Sequence, residues 1–284
     1  MESGMKKLLL GLALSLSVLS ATPLMAAAPT FSATQMAQVK ITELSFKEIM
    51  RQFYNDQMFD VHIDNKEDTP DIGLGKDDDS AGETVDLMRP VIQYKNTGGE
   101  DRYLIIIEKI QASTGDVDSC YTCNVIADLY SFKKLNNGLF QLVSQTSKSI
   151  KSSNSNTGLE LHERAVQAGL QPLGKNLMGS IFMNRHTSTG RTDSWWDVLH
   201  LPENAFIDLY TLGDAGTSNA GIYEEDSPLY YDYDVDFKVL PKNATYYPIR
   251  LTHKDEDPTE DYDRINSVNY SEIVKFNPVK KEYE

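Results

Sequence analysis

The chain has 284 residues, 27 of them basic and 42 acidic, for a formal charge of −15. So negative a balance excludes nucleic acid and anionic membrane surfaces as partners, because phosphate recognition needs clustered Lys and Arg. It suits a basic protein partner, cations or plain solubility, and the length allows one large β-rich core.

Residues 1–26 read as a secretory signal peptide. Lys6 and Lys7 precede an apolar run from Leu8 to about Leu19, and small residues follow up to Ala26. That run is too short, and too rich in Ser and Ala, to anchor the chain. Cleavage is expected after Ala26, since a cut after Ala28 would put Pro29 first. No cysteine lies near the junction, so a lipoprotein is not expected. The mature chain is therefore expected to be periplasmic or secreted, in a compartment that favours disulfides. No later apolar run is long enough to span a membrane.

Residues 27–60 are expected to form a helical segment packed on a single antiparallel β domain, 61–284. Phe46, Ile49, Met50 and Phe53 recur at i, i+3, i+4 and i+7, which makes one apolar stripe. Ser45 with Glu48 has the spacing of a capping box. The acidic, glycine-bearing stretch 64–86 reads as a long loop.

Strand patterns then take over. "RPVIQY" comes first, then "RYLIIIEKI", which is apolar almost without break, as a strand covered on both faces should be. "NVIADLYSFKK" and "LFQLVSQT" flank Leu135-Asn136-Asn137-Gly138, a hairpin turn. "LELHERAVQAGL" fits either a strand or a short helix. "MGSIFMNRH", "DSWWDVLHL", "AFIDLYTL", "LYYDYDVDFKVL" and "TYYPIRLTH" continue the strand pattern. In 229–239, Leu229, Tyr231, Tyr233, Val235, Phe237 and Val239 share one face, and Tyr230, Asp232, Asp234, Asp236 and Lys238 the other. Short strands with frequent turns predict a mainly β fold: an antiparallel sandwich or open barrel with one short N-terminal helix.

Cys120 and Cys123 are the only cysteines. A redox C-x-x-C needs a helix after it to lower the thiol pKa, but "NVIADLYSF" is strand-like. Haem attachment needs His at 124, where Asn stands, and zinc needs about four ligands. A local structural disulfide is the expectation, which requires a turn or bulge between the two residues.

"DSCYTC" entering a strand, "QPLGKNLMGSIF", "WWDVLHLP" and the closing "YYPIRLT" together resemble a group of exported bacterial β-proteins of uncharacterised function. The resemblance covers about 100–253. Members often carry His and a small residue between the cysteines, where this chain has Tyr121 and Thr122. The resemblance implies the fold class and no activity.

Two surfaces stand out as binding candidates. Trp195 alternates outward between Asp193 and Asp197, so it would stack on a sugar or hold a cationic side chain unless a second layer covers it. Tyr230, Asp232 and Asp234 line the wet face of 229–239. Same-face residues stand about 6.6 Å apart along a strand, too far for three carboxylates to gather one calcium ion. No nucleophile elbow, zinc-protease, phosphate-loop or dinucleotide motif occurs. The five histidines (62, 162, 186, 200 and 253) lack ligand spacing, so neither a metal nor another cofactor is expected. The expectation is an exported, non-enzymatic binding protein of the envelope, an inhibitor or immunity-type protein for a basic hydrolase or toxin. The alternative is a carbohydrate- or wall-binding module, or a glycan hydrolase.

Overall fold

A computed structural model describes residues 29–60, 72–74, 83–113, 116–117, 124–153, 161–258 and 265–284. The expected signal peptide, the Cys120–Cys123 disulfide and most of the 64–86 loop lie outside the described residues.

The first layer contains α1 (Ala33–Gln38), β1 (Lys40–Ile41), α2 (Phe46–Phe53), β2 (Met58–Asp60), β3 (Ile72–Leu74), β4 (Glu83–Met88), β5 (Ile92–Lys95), β6 (Asp101–Ser113), β7 (Asp116–Val117), β8 (Asn124–Lys134), β9 (Phe140–Gln145) and β10 (Ile150–Ser153). Its sheet runs β1-β9-β8-β6-β4-β3-β2, with β5 and β7 also pairing β6 and β10 pairing β8. The second layer opens with α3 (Leu161–Ala168), which settles the ambiguous segment as helix. It continues through β11 (Gln171–Gly174), β12 (Leu177–Ser188), β13 (Arg191–Pro202), β14 (Asp208–Ser218), β15 (Asp232–Val239), β16 (Ile249–Pro258) and β17 (Ile265–Val274). These seven strands form an antiparallel meander in chain order. A terminal hairpin, β18 (Phe276–Asn277) and β19 (Glu282–Tyr283), follows.

The apolar run of β6 explains the layering. Leu104 and Ile106 join Leu129, Phe182 and Leu199 in the core between the sheets. Ile105 and Ile107 point the other way, onto Ile49, Met50 and Tyr54 of the α2 segment. Burial on both faces is what an unbroken apolar strand requires. Helix α2 is capped as its sequence predicts on one side only: Ser45 Oγ accepts from Glu48 N at 3.4 Å, while Glu48 Oε2 accepts from Thr42 Oγ1. The Leu135–Gly138 turn also forms, with Gly138 N donating to Leu135 O and Gly138 at φ 87°.

The seven-stranded sheet curls on itself. Leu173, Ile181, Val198, Leu212, Val235, Leu251 and Val274, one from each strand β11 to β17, share a single core. The β15–β16 connection closes one end of this half-barrel: Lys175 N donates to Ala244 O at 2.9 Å and Tyr247 N to Leu173 O at 2.7 Å. Gly174 makes that approach possible, since a Cβ there would lie 1.9 Å from Thr245 O. Between the layers, buried Arg102 of β6 grips Glu203 of the β13–β14 connection through Nε (2.6 Å) and Nη2 (3.0 Å).

Three departures from the sequence pattern have physical causes. β3 and the start of β4 fall inside the 64–86 stretch, where Asp and Gly mask short strands paired to β6 through β4. β15 begins at Asp232, and Leu229, on the expected dry face, is 45 % exposed. β16 runs on to Pro258 and β17 spans Ile265–Val274, where polar residues on a partly wet sheet hide the alternation. Among the described residues no helix is long and apolar enough to cross a membrane.

Candidate functional site

The acidic surface is assembled by the connection between β14 and β15. Gly216, at φ 131°, lets β15 come close, because a Cβ there would lie 2.1 Å from Tyr233 O. Buried Asn219 then pins the base of the loop: its Nδ2 donates to Leu229 O at 2.7 Å and its Oδ1 accepts from Tyr231 N at 3.0 Å. The tip is thereby held out in water. It exposes Glu224, Glu225 and Asp226 beside Ile222, which is 52 % exposed, and Tyr223.

Strand β15 continues this surface. Asp232, Asp234 and Asp236 are exposed while Tyr233 and Val235 between them are buried. The carboxylates feel one another. Desolvation first, then Asp232, Asp255 and Asp236, raise the Asp234 carboxyl, with Lys254 opposing. Desolvation, followed by Asp232 and Glu225, raises the Tyr230 hydroxyl, and Glu256 adds to it. Tyr230, Asp232 and Asp234 therefore belong to one electrostatic group together with Glu225, Asp255 and Glu256. Lys254 pairs Asp236 at 2.7 Å, on the surface where such a bond is worth little. Exposed apolar side chains among an excess of carboxylates give a surface that can dock a cationic, partly apolar partner.

Trp195 and its flanking aspartates sit differently. Asp197 is only 5 % exposed and accepts from Asn184 Nδ2 and from Thr211 Oγ1. Burial raises its carboxyl, opposed by these bonds, by the Trp195 indole and by Arg164. Arg164 of α3, itself buried, reaches Asn184 Oδ1 and Ser152 Oγ, so the helix lays a cationic side chain over this part of the sheet. Trp195 is half-buried, with its polar edge turned to Asp197. Asp193 is half-exposed and holds Arg191 and Thr217 at 2.9 Å each. Trp196 faces the curled core, its Nε1 donating to Val235 O at 2.8 Å and its ring edge-on to Phe237. Cys120 and Cys123 lie outside the described residues.

Three polar clusters escape sequence reasoning. Under α2, Tyr54 Oη donates to Asp128 Oδ2 at 2.5 Å, Tyr130 Oη donates to Tyr54 Oη, and Lys109 Nζ pairs Asp128 at 3.1 Å. Asp86 lies directly opposite Lys109 in the ladder, fully buried, with neither carboxyl oxygen hydrogen-bonded. On the curled sheet, His253 bonds Tyr233 Oη and Glu272 Oε1 and stacks on exposed Tyr270 at 4.2 Å. His200 sits among Tyr210, Tyr246, Phe276 and Tyr283. A polar residue interrupting the apolar face of a strand is the one local sign available, and it does not identify the partner. Among the described residues no three His, Cys, Asp or Glu side chains converge as a metal site would require. No protein-family model, curated protein or solved structure matches this chain.

Proposed function

We propose that this is an exported, non-enzymatic binding protein whose acidic face engages a cationic protein of the envelope, such as a basic hydrolase or toxin. The observation that carries the reading is the run of exposed carboxylates on β15 and the preceding loop, set beside exposed Ile222, Tyr223 and Leu229. Carboxylates raised by desolvation and by their acidic neighbours, as Asp234 is, gain from a partner that neutralises them. They also speed encounter at low salt.

The test is paired capture from the native envelope with the wild type and with Glu225→Gln/Asp232→Asn/Asp234→Asn, followed by association kinetics with the captured protein and with lysozyme, a cationic wall hydrolase. A basic protein held by the wild type alone, with an on-rate that falls as salt rises, is the expected result. Equal capture by both proteins, or an on-rate indifferent to salt, sinks the reading.

A glycan reading has one observation in its favour. Tyr270, 51 % exposed, presents a ring braced flat against His253 beside the Glu272 carboxylate, an arrangement suited to stacking on a sugar. Pull-down on peptidoglycan with wild type and Tyr270→Ala separates this reading from the first.

A further inference from the structure

A cavity of about 130 Å³ lies where four connections meet beside His200. The β11–β12 turn supplies Lys175 and Asn176, the β13–β14 connection Asn204 and Phe206, the β15–β16 connection Thr245 and Tyr246, and the terminal hairpin Phe276. A cavity of this order has room for a benzene ring. The walls are aromatic and mutually braced: Phe276 packs at 4.7 Å on both Tyr210 and Tyr246, and His200 touches all three.

Charge at the cavity is one-sided. Lys175 is the only ionic side chain in the lining, and it has no ion-pair partner among the described residues. Its backbone is fixed by the bond from its N–H to Ala244 O. His200 is buried and bonded through Nε2 to Tyr283 Oη at 2.8 Å. Burial holds its imidazole down at about 3, so it is uncharged at neutral pH. Two acids of the flanking β13–β14 segment are engaged, Asp208 by Tyr210 Oη and Glu203 by Arg102. Lys175 therefore gives this aromatic cavity a single cationic lining residue.

We propose that this cavity is a binding site for a small planar anion, an aromatic ring bearing one carboxylate, with the ring among Tyr210, Tyr246 and Phe276 and the carboxylate at Lys175. Such pockets combine apolar walls with a few placed polar groups, and Asn176 and Asn204 supply hydrogen-bond donors at the mouth. The site is separate from the acidic face and does not depend on it.

The probe is benzoate, with benzyl alcohol as its uncharged counterpart, titrated into the wild type, Lys175→Met and Asn204→Trp by calorimetry and by NMR of the ring protons. Both substitutions fall at exposed positions, and thermal unfolding checks that each variant remains folded. The wild type is expected to bind benzoate and to shift the Tyr and His resonances. Lys175→Met should weaken benzoate by about tenfold or more while leaving benzyl alcohol unchanged, and Asn204→Trp should block both. Were Asn204→Trp to unfold, the Lys175→Met comparison alone decides. No response of the wild type up to about 10 mM benzoate overturns the site. Benzoate binding unchanged by Lys175→Met, or benzyl alcohol binding as tightly as benzoate, overturns the assignment of an anion.

Discussion

The two sheets use the same strand chemistry to opposite ends. The ten-stranded sheet is covered on both faces, by the curled sheet and α3 on one side and by the α2 segment on the other. Four of its charges, Asp86, Arg102, Glu108 and Asp128, are buried within the fold. The seven-stranded sheet has one core inside its curl and leaves the outer row of β15 in water. The carboxylates of that row owe little to the fold, the Asp236–Lys254 pair lying at the surface. A buried charge on the first sheet serves the architecture, while the row on β15 stands in solvent.

That contrast can be broken by experiment. Leu104→Ala in β6 should cost about 3–5 kcal/mol, the transfer loss plus the cavity left between two filled cores. Urea unfolding measures it, and a cost below about 1 kcal/mol would mean that the layers do not pack as described. Next comes Arg102→Met. It breaks the grip on Glu203 and should lower stability by about 3 kcal/mol, more than any single carboxylate of β15.

Asp86 sharpens the comparison through pH. Burial, the largest cause, pushes its carboxyl up to about 7, with Lys109 pulling it down and Asp128 adding a smaller push. Between its ordinary 3.8 and about 7 the folded chain holds a proton that the unfolded chain has released. Stability therefore falls as pH rises through that window. Asp86→Asn should flatten the decline and gain roughly 2 kcal/mol at pH 8; an unchanged pH profile would show that Asp86 does not stay buried. The smallest effect belongs to Asp234→Asn, expected within about 0.5 kcal/mol of wild type while still weakening the cationic partner. A large loss of stability there would erase the distinction between the two sheets.

Much of this was legible in the chain because it follows from local patterns. The Leu104–Ile107 run announces a doubly covered strand, Ser45 announces a helix start, and Asn137-Gly138 announces a hairpin. The acidic row of β15 is equally plain, since alternation separates wet from dry faces. Helix α1 is only six residues long and buries nothing, so no stripe marks it. The surroundings of Trp195 depend on Arg164, which arrives from a helix more than twenty residues earlier, and no window of alternation contains that information. The cavity at His200 is drawn from four connections, each unremarkable alone.

The clasp between Gly174 and the 240–248 connection also sets an order of events. β11 obtains this neighbour only after β12, β13, β14 and β15 have been laid down. Until then its outer edge stays unpaired, the condition in which chains join the wrong partner. A chain synthesised N-terminus first would have its earlier sheet complete while the half-barrel still waited for its last strands. Pulsed hydrogen exchange during refolding should find Tyr247 protected after Leu104, making closure of the curl the slow step in the life of the molecule.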